Sequence, residues 1–310
     1  RGLGDVYKRQ RLRNLFPKLV FEMAKREIPP TDRQLAQAEV VVGIQSEAHI
    51  PKMKNVRYIH TLSSGLNKYI DAIKSLPQKV QVSNSAGVFG VSVGEHALSL
   101  MLACAHAIKQ SVLNMQSGSW EKQTKIKTIS GSVVGILGTG DIGSNVARAV
   151  KAMGAGTLGY KLHKSQPSAP FDAFYYGKEG LDELLGLSDF VVICLPGTSY
   201  TEGLIGQEQL AKFKNDAILV NVGRGLIIDT DALVHALQTG RPAAAALDVT
   251  QPEPLPKDHP LWHMSNVIIT PHSAWRGVRI ESRVDWFAKN LSAYLAVQPL
   301  PGAVDLQYEY

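Results

Sequence analysis

The sequence predicts an α/β protein with a doubly wound parallel sheet and a second, smaller α/β domain. Two patterns lead to this fold class. Beyond residue 132, short apolar runs alternate with amphipathic segments, as expected when helices cover both faces of a parallel sheet. The N-terminal third differs, because its three strand-like runs are shorter and are separated by helical segments. We therefore expect a small sheet followed along the chain by a large one.

The large domain is expected to span residues 92–275. Six apolar runs predict its strands, at residues 133–137, 157–160, 190–195, 217–222, 243–249 and 267–270. Amphipathic periodicity predicts helices at residues 143–153, 181–187, 207–213 and 231–238, and a longer helix at 92–115. The helix at 231–238 has Asp229 or Thr230 as its N-cap and Gly240 as its stop signal.

The smaller domain is expected to comprise residues 11–91 and 276–310. Its strands are predicted at residues 40–44, 56–59 and 80–83, and a helix is predicted at residues 279–295. Long helices at both ends of the large domain indicate that the chain crosses between the domains twice. Residues 1–10 begin without methionine and show neither strand nor helix periodicity, so they are set aside as non-native or unplaced sequence.

Composition excludes several classes of protein. The 310 residues are 45% apolar and 19% charged, which suits two globular domains, and the longest apolar stretch is too short to span a bilayer. Cys104 and Cys194 lie in apolar runs without disulfide or metal spacing, which indicates buried thiols in a reducing cytoplasm and no metal site. The net charge of +6 comes from scattered side chains, so binding to nucleic acid is not expected.

A glycine motif carries the clearest functional signal. The apolar run 133–137 leads into Gly138, Gly140 and Gly143, in G-x-G-x-x-G spacing, and an amphipathic segment follows. These glycines permit a tight turn, a close approach of the backbone to a pyrophosphate, and close packing of helix against strand. The helix N-terminus then offers N–H groups to phosphates. The motif predicts a dinucleotide site, with hydride transfer as the expected chemistry.

Three further strand ends deliver polar side chains to the same edge of the expected sheet. Arg224 follows the run 217–222, Glu253 follows 243–249, and His272 follows 267–270. Ligands of open parallel sheets bind at this edge. Taken singly, each residue also has an ordinary structural explanation: a surface turn, a residue on the rim of the protein, or a buried core histidine.

Together the three side chains suit the interconversion of a 2-oxo acid and a 2-hydroxy acid. A guanidinium such as that of Arg224 holds a carboxylate through two parallel hydrogen bonds. A histidine such as His272 exchanges a proton with the substrate oxygen near neutral pH. A neighbouring carboxylate such as that of Glu253 orients the imidazole and favours its protonated form.

From about residue 35 to the C-terminus, the chain resembles the D-isomer-specific 2-hydroxyacid dehydrogenases. The resemblance rests on the glycine motif and on the following segments: Ser92-Val93-Gly94-Glu95-His96-Ala97, Leu195-Pro196, Asn221 to Gly225, Ala246 to Val249, Glu253-Pro254-Leu255 and Thr270 to Ala274. It implies a Rossmann domain that binds NAD(P), a flavodoxin-like substrate domain, and a homodimer that forms through the nucleotide-binding domain.

The resemblance also implies roles for individual residues. His272 would be the acid–base, Glu253 its partner and Arg224 the carboxylate anchor, while Ser64 and Gly65 would offer backbone N–H groups to the substrate carboxylate. The cofactor-binding residues would be Gly138, Thr139, Gly140, Asp141, Ile142 and Gly143 of the glycine motif, together with Pro196 and Asp248 beside the nicotinamide.

Two departures from the family pattern are visible. The first strand of the family's substrate domain should precede the segment near residues 12–16, where residues 1–10 stand instead, so we expect that strand to be missing. Trp275 and Arg276 replace a run of small residues after the histidine. They are expected either to narrow or charge the substrate pocket or to pack at a domain junction.

The choice of cofactor depends on the end of the second strand of the nucleotide-binding sheet. An NAD-binding sheet usually carries an acidic residue there, which repels a 2′-phosphate. Lys161 occupies this position, eighteen residues past Gly143, and His163 and Lys164 follow it. The cations supply partners for a phosphate, so we predict a preference for NADP over NAD, although a solvated basic loop could still accept NAD.

The leading hypothesis is an NADPH-preferring reductase of small 2-oxo acids such as glyoxylate or hydroxypyruvate. The alternative is a dinucleotide-sensing, corepressor-like binding protein of the same fold. A third function, formate dehydrogenase, is disfavoured by Glu253, because related enzymes pair the histidine with glutamine for a reaction that moves no proton at the substrate.

Overall fold

The computed structural model describes residues 2–22, 24, 28–66, 69–123, 125–162 and 170–309. The chain forms two compact units. One unit runs from the N-terminus to Phe89 and resumes at Val278, and the other comprises Gly90–Gly277. The role of the first unit as a substrate domain stays a prediction.

The larger unit is a doubly wound sheet of seven parallel strands, which confirms the predicted fold class. The strands are β4 (Val133–Leu137), β5 (Gly156–Lys161), β6 (Ala173–Tyr176), β7 (Phe190–Ile193), β8 (Ile218–Asn221), β9 (Ala244–Leu247) and β10 (Val267–Ile269). Their order is β10-β9-β8-β7-β4-β5-β6, so the direction of winding reverses between β4 and β7. All four residues of β7 are buried, as expected for a central strand covered on both faces.

Six helices accompany this sheet within the described residues. They are α4 (Gly90–Ala105), α5 (Ile108–Gln116), α6 (Asp141–Ala152), α7 (Gly177–Leu187), α8 (Gln207–Leu210) and α9 (Thr230–Thr239). The predicted caps of α9 are confirmed, because the Asp229 side chain accepts a hydrogen bond from the N–H of Ala232 at 3.0 Å. Gly240 ends the helix in the left-handed conformation, with φ of 81°.

Two predictions for this unit were wrong. The single helix expected over residues 92–115 is two helices, separated at Ala107 with φ of 49° and bent by 65°. A tertiary contact explains the break: the ammonium of Lys109, at the start of α5, donates to the carbonyls of Met264 and Val267 at 2.8 and 2.7 Å. Strand β6 was not predicted, because it is an edge strand whose residues are all only partly buried.

No single helix in the described parts of the chain is both long and apolar enough to cross a membrane. Helices α4 and α5 reach that length and hydropathy only when they are counted together across their bend of 65°.

The smaller unit contains a three-stranded parallel sheet of order β1-β2-β3. Its strands are β1 (Val40–Val42), β2 (Tyr58–His60) and β3 (Gln81–Ser83), and its helices are α1 (Gly2–Leu15), α2 (Asp32–Gln37), α3 (Ile70–Lys74) and α10 (Ile280–Leu295). The side chains of Thr31 and Gln34 form a capping box at the start of α2.

The N-terminal segment is helical, contrary to the expectation that residues 1–10 lack periodic structure. The reason lies in its partner helix rather than in its own sequence. Arg11 donates to Asp285 of α10 at 2.7 Å, and Leu12 packs into the apolar cluster formed around Phe287 and Leu291. No strand precedes β1 in the described residues, so the sheet begins at Val40.

A chain of buried hydrogen bonds connects β2 with β3. Ser85 donates its hydroxyl proton to the carbonyl of Thr61 at 2.9 Å, so its oxygen can only accept from Nε2 of His60, 3.3 Å away. Nδ1 of His60 is then the acceptor for Ser83 at 2.7 Å, and Ser83 in turn accepts from Tyr58 at 2.7 Å. The network therefore holds His60 in its neutral form with the proton on Nε2.

Burial lowers the pKa of His60 from 6.5 to about 4. Because the folded-state pKa lies below the ordinary value, the unfolded chain takes up this proton at a higher pH than the folded protein does. The protein therefore keeps its full stability above pH 6.5 and loses stability as the pH falls towards 4. We expect the free energy of unfolding to fall by roughly 2–3 kcal/mol more between pH 7 and 4.5 than in His60→Gln, which cannot take up this proton. Urea unfolding of both proteins at the two pH values measures the difference. Equal losses in the two proteins would contradict the prediction.

Candidate active site

The glycine motif forms a compact turn between β4 and α6. A side chain at Gly143 would bring its Cβ within 2.0 Å of the carbonyl oxygen of Gly138, so the close packing of helix and turn requires glycine there. At Gly140, by contrast, a Cβ would meet nothing within 4 Å. This open space lies at the N-cap of α6, where N–H groups and the helix dipole favour a phosphate. The turn therefore fits a dinucleotide pyrophosphate.

Asp141, inside the motif, uses its carboxylate for a structural contact. One oxygen accepts from the N–H of Gly90, the first residue of α4, at 2.7 Å, and the other lies 3.2 Å from Nδ2 of Asn145. Burial raises the pKa of Asp141, and the bond from Gly90 works in the opposite direction. Because the side chain of Asp141 contacts α4, we expect this residue to contact the cofactor through its backbone.

Lys161 is the last residue of β5, the neighbour of β4 in the sheet. Its ammonium lies 5.0 Å from the ring centre of Phe174 on β6, a cation–π contact. The structure thus places Lys161 at the strand end where the sequence argument expected it. The other two predicted phosphate contacts, His163 and Lys164, lie outside the described residues.

Arg224 stands in a tight turn that begins at the end of β8. Asn221 organises this turn, because its Oδ1 accepts from the N–H of Gly223 and its Nδ2 donates to the carbonyl of Arg224, both at 3.0 Å. The guanidinium donates to the carbonyl of Gly223 at 2.7 Å. Burial lowers the pKa of Arg224, and the negative charge of Glu253 acts in the opposite direction. The turn is therefore packed into the sheet edge rather than being a surface turn.

Glu253 and His272 are in direct contact. Oε1 of Glu253 lies 2.6 Å from Nδ1 of His272, and both side chains remain partly exposed. They follow β9 and β10, while Arg224 follows β8, and these three strands are neighbours in the sheet. Because the strands are parallel, all three residues lie at the carboxyl edge. The predicted trio is therefore brought to one edge of one unit.

The loop that carries His272 is held by Asp248. The Asp248 carboxylate is 1% exposed and accepts from the N–H groups of Ser273 at 2.9 Å and Ala274 at 3.1 Å. The carbonyl of Asp248 accepts from the N–H of His272 at 2.8 Å. These bonds hold His272 in a left-handed backbone conformation, with φ of 47°. The contacts show how Asp248 fixes the loop, and its position beside a nicotinamide stays a prediction.

Two residues outside the predicted site complete this arrangement. Thr270 donates to Asp248 at 2.6 Å, and Nε2 of His96, on α4, lies 3.0 Å from the Thr270 hydroxyl and 3.3 Å from Asp248. His96 belongs to a segment that the sequence analysis used only for the family resemblance. The available signal was a histidine in a helix that is mostly apolar.

The remaining predicted residues are accounted for as follows. Pro196 is half-buried after β7, and its carbonyl accepts from Thr201 at 2.7 Å. Ser64 and Gly65 lie in the smaller unit, in the turn after β2. Within the described residues no group of three or more His, Cys, Asp or Glu side chains could hold a metal ion.

A sequence model described as the NAD binding domain of D-isomer specific 2-hydroxyacid dehydrogenases matches residues 98–274. The chain belongs to this family. The family resemblance is thereby confirmed, and so is a nicotinamide dinucleotide as the cofactor class. The protein is an NAD(P)-dependent D-2-hydroxyacid dehydrogenase, an oxidoreductase.

Relatives from three organisms agree with the family assignment. A D-3-phosphoglycerate dehydrogenase of Archaeoglobus fulgidus is 34% identical over 80% of this chain, which spans only 46% of that relative. The human glyoxylate reductase/hydroxypyruvate reductase is 32% identical over 81% of this chain and 78% of its own length. A Xanthobacter autotrophicus dehydrogenase of the family, solved with NADPH and MES, superimposes with a TM-score of 0.84 at 26% identity. That superposition covers 98% of this chain and 95% of the other.

Two substitutions in the glycine motif should separate folding from cofactor binding. Gly143→Ala should lower the melting temperature markedly, because its Cβ would meet the Gly138 carbonyl. Gly140→Ala should leave the melting temperature of the cofactor-free protein within about 2 °C of wild type, since its Cβ enters open space. It should nevertheless weaken NADPH binding about tenfold or more, because that space is the expected pyrophosphate cradle. Thermal melts and fluorescence titration measure both effects, and tight NADPH binding by Gly140→Ala would contradict the assignment.

Proposed function

We propose that this dehydrogenase works as an NADPH-preferring reductase of small 2-oxo acids, of the glyoxylate and hydroxypyruvate type. The observation that carries the proposal is the 2.6 Å contact between Glu253 and His272, at the sheet edge that also holds Arg224. A hydrogen-bonded carboxylate and imidazole beside a cation suit the transfer of one proton to an anionic substrate.

Glu253 determines how the imidazole of His272 is used. A carboxylate accepts hydrogen bonds, so it binds the proton on Nδ1 and leaves Nε2 directed to the substrate. In reduction, the imidazolium donates its Nε2 proton to the carbonyl oxygen, and that oxygen becomes the hydroxyl of the product. In the reverse direction, Nε2 accepts the hydroxyl proton. Glu253 stabilises the positive charge of the imidazolium in both directions.

Arg224 is proposed to hold the substrate carboxylate. Its side chain is partly buried, and this burial lowers the pKa of Arg224. A desolvated guanidinium gains more from a bidentate carboxylate than an exposed one does. An anchored carboxylate would fix the adjacent carbonyl carbon in place for hydride transfer, the chemistry that a reduced nicotinamide would supply when bound.

The choice of substrate is supported by a relative. The human relative, 32% identical over 81% of this chain, is named glyoxylate reductase/hydroxypyruvate reductase. Small 2-oxo acids also match a sheet edge that brings together a cation and an acid–base pair. The homodimer expected from the family resemblance stays a prediction. Exposed apolar side chains on α5 and just beyond it support it: Val112, Leu113, Met115 and Trp120.

The cofactor preference is supported by Lys161. A cation at the end of β5 removes the repulsion that an acidic residue there exerts on a 2′-phosphate, and it supplies a charged partner. The Xanthobacter autotrophicus relative was solved with NADPH. We place the adenosine 2′-phosphate beside Lys161 and propose that this contact sets the preference.

The proton-transfer role of His272 can be tested by substitution. His272→Ala should lower kcat for glyoxylate about 10²- to 10⁴-fold, the usual contribution of a general acid. NADPH affinity should change little, because the glycine turn is untouched. Steady-state rates by NADPH absorbance, with a panel of 2-oxo acids and both cofactors, measure turnover, and fluorescence titration measures binding.

The exposed His263 offers a matched control, since His263→Ala removes an imidazole from the same unit and should leave the rates unchanged. Turnover by His272→Ala at the wild-type rate would refute the proposed acid–base. A wild-type protein that binds NADPH but reduces none of the acids would instead favour the corepressor-like alternative.

The cofactor preference can be tested by reversing the charge at the strand end. Lys161→Asp should reduce the ratio of kcat/KM with NADPH to kcat/KM with NADH by roughly 10²-fold, because the new carboxylate repels the 2′-phosphate and binds the ribose hydroxyls. Lys178→Asp makes the same change of charge at an exposed surface pair and should leave the ratio unaltered. A wild-type preference for NADH would contradict the proposal directly.

A further inference from the structure

The loop that carries His272 is held from one side by helix α4. We propose that His96 and Thr270 are positioning residues: by fixing the carboxylate of Asp248, they hold the backbone of His272 where its imidazole meets Glu253. This inference rests on the proposed function, because it takes His272 as the acid–base of the reaction.

Three consecutive peptide N–H groups of the loop bond to Asp248. The N–H of His272 donates to the carbonyl of Asp248 at 2.8 Å. The N–H groups of Ser273 and Ala274 donate to its carboxylate at 2.9 and 3.1 Å. The backbone of Asp248 is itself fixed, since its N–H donates to the carbonyl of Asn221 at 2.9 Å. The freedom that remains is rotation of the Asp248 side chain, and that rotation would disturb two of the three bonds.

The hydroxyl of Thr270 and the imidazole of His96 oppose this rotation. The Thr270 hydroxyl donates to Oδ1 of Asp248 at 2.6 Å. A hydroxyl has a single proton, so the oxygen of Thr270 can only accept from Nε2 of His96, 3.0 Å away. That nitrogen also lies 3.3 Å from Oδ1 of Asp248. Nε2 of His96 therefore carries a proton that is directed at both oxygens.

The imidazole of His96 suits this role. With its proton on Nε2, an imidazole donates from that nitrogen in both its neutral and its charged form. The bond from His96 to Thr270 is therefore independent of the charge on His96. A glutamine side chain also ends in a donor nitrogen, whereas a leucine side chain has no donor, so these two residues make a matched pair of substitutions.

Helix α4 provides a fixed support for these bonds. Ser92 and His96 lie four residues apart and therefore share one face of the helix. The Ser92 hydroxyl donates to the carbonyl of Ala274 at 2.7 Å, which gives α4 a second contact with the loop. Gly94 packs α4 so closely against α6 that a Cβ there would lie 3.0 Å from the Cβ of Asn145. Helix α6 thus holds α4 in place while α4 holds the loop.

A loop held in this way keeps the imidazole of His272 in contact with Glu253, at 2.6 Å. Proton transfer depends steeply on such geometry, since a displacement of about 1 Å can lower a rate about 10²-fold. Loss of the contacts to Asp248 should therefore lower kcat. KM for the substrate should change little, because the proposed carboxylate anchor, Arg224, lies on a different loop.

Paired substitutions of Thr270 and His96 test the proposal. Thr270→Val keeps the shape of the side chain but removes the hydroxyl, so Asp248 loses one bond and His96 loses its acceptor. We expect kcat for glyoxylate to fall about tenfold or more, with KM and the Kd of NADPH changed by less than about threefold. Thr270→Ser keeps the hydroxyl and should restore kcat. His96→Leu should lower kcat in the same way, and His96→Gln should restore it.

Hydrogen exchange measures the hold on the loop without reference to activity. The amides of residues 272–274 should exchange faster in Thr270→Val and His96→Leu than in the wild type, because their acceptor, Asp248, is no longer fixed. Mass spectrometry of peptides that span residues 270–276 follows this exchange. Thr270→Ser and His96→Gln should keep the wild-type protection.

Thr157→Val is the matched control. Thr157, on β5, is also a buried threonine of the larger unit whose hydroxyl donates to an aspartate, Asp172, at 2.9 Å. The substitution removes the same kind of bond but none to the loop after β10. Both kcat and the exchange of residues 272–274 should therefore stay near their wild-type values, even where the melting temperature falls.

The outcomes separate this inference from the proposed function. If the wild type reduces glyoxylate and Thr270→Val keeps its kcat, the positioning role is refuted while the function stands. If Thr157→Val lowers kcat as much as Thr270→Val, the effect is general destabilisation, and the positioning role is again refuted. If the wild type reduces no 2-oxo acid, the proposed function fails. In that case, unchanged exchange of residues 272–274 in Thr270→Val and His96→Leu would refute the hold on the loop as well.

Discussion

The buried carboxylate of Asp248 is the contact on which the candidate active site depends. Both its oxygens accept from the backbone of the loop after β10, and Thr270 and His96 hold it from the other side. These bonds help to fix where His272 lies relative to Glu253, since β10 itself ends at Ile269. The reactive imidazole is thus positioned by a charge that has no proposed part in the proton transfer.

The smaller unit also uses a buried polar side chain to hold a turn. There Nδ2 of Asn84 and the N–H of Ser85 donate to the carbonyls of Ser64 and Ser63, in the turn after β2. In each unit the backbone that is held in this way lies in a short loop. Buried polar side chains hold those loops by bonding to the backbone, which makes them rigid without regular secondary structure.

Most of the larger fold could be predicted because it depends on local pattern. Strand β4 lies where its apolar run predicts, and α9 has the predicted caps. Both features can be predicted because burial on two faces and helix capping each depend on the types of a few adjacent residues. The break at Ala107 could not be foreseen, because the contact of Lys109 with Met264 and Val267 joins segments far apart in sequence.

The site shows the same limit. Arg224, Glu253 and His272 could be placed at one edge from the topology of parallel strands alone. The Asp141 carboxylate points towards Gly90 of α4, which lies 51 residues away in the sequence. The spacing of Asp141 within the glycine motif therefore gave no indication of this direction. Helix α1 likewise contacts a distant segment, since Arg11 donates to Asp285 of α10.

The left-handed backbone of His272 sets stability against activity at a single residue. A side chain at φ of 47° costs roughly 1–2 kcal/mol relative to ordinary backbone, and glycine would avoid that cost. The most stable version of this loop is therefore not the one that carries an imidazole. Selection for thermal stability alone would favour glycine at this position. If a stabilised variant keeps His272, the residue must therefore have been kept for catalytic turnover.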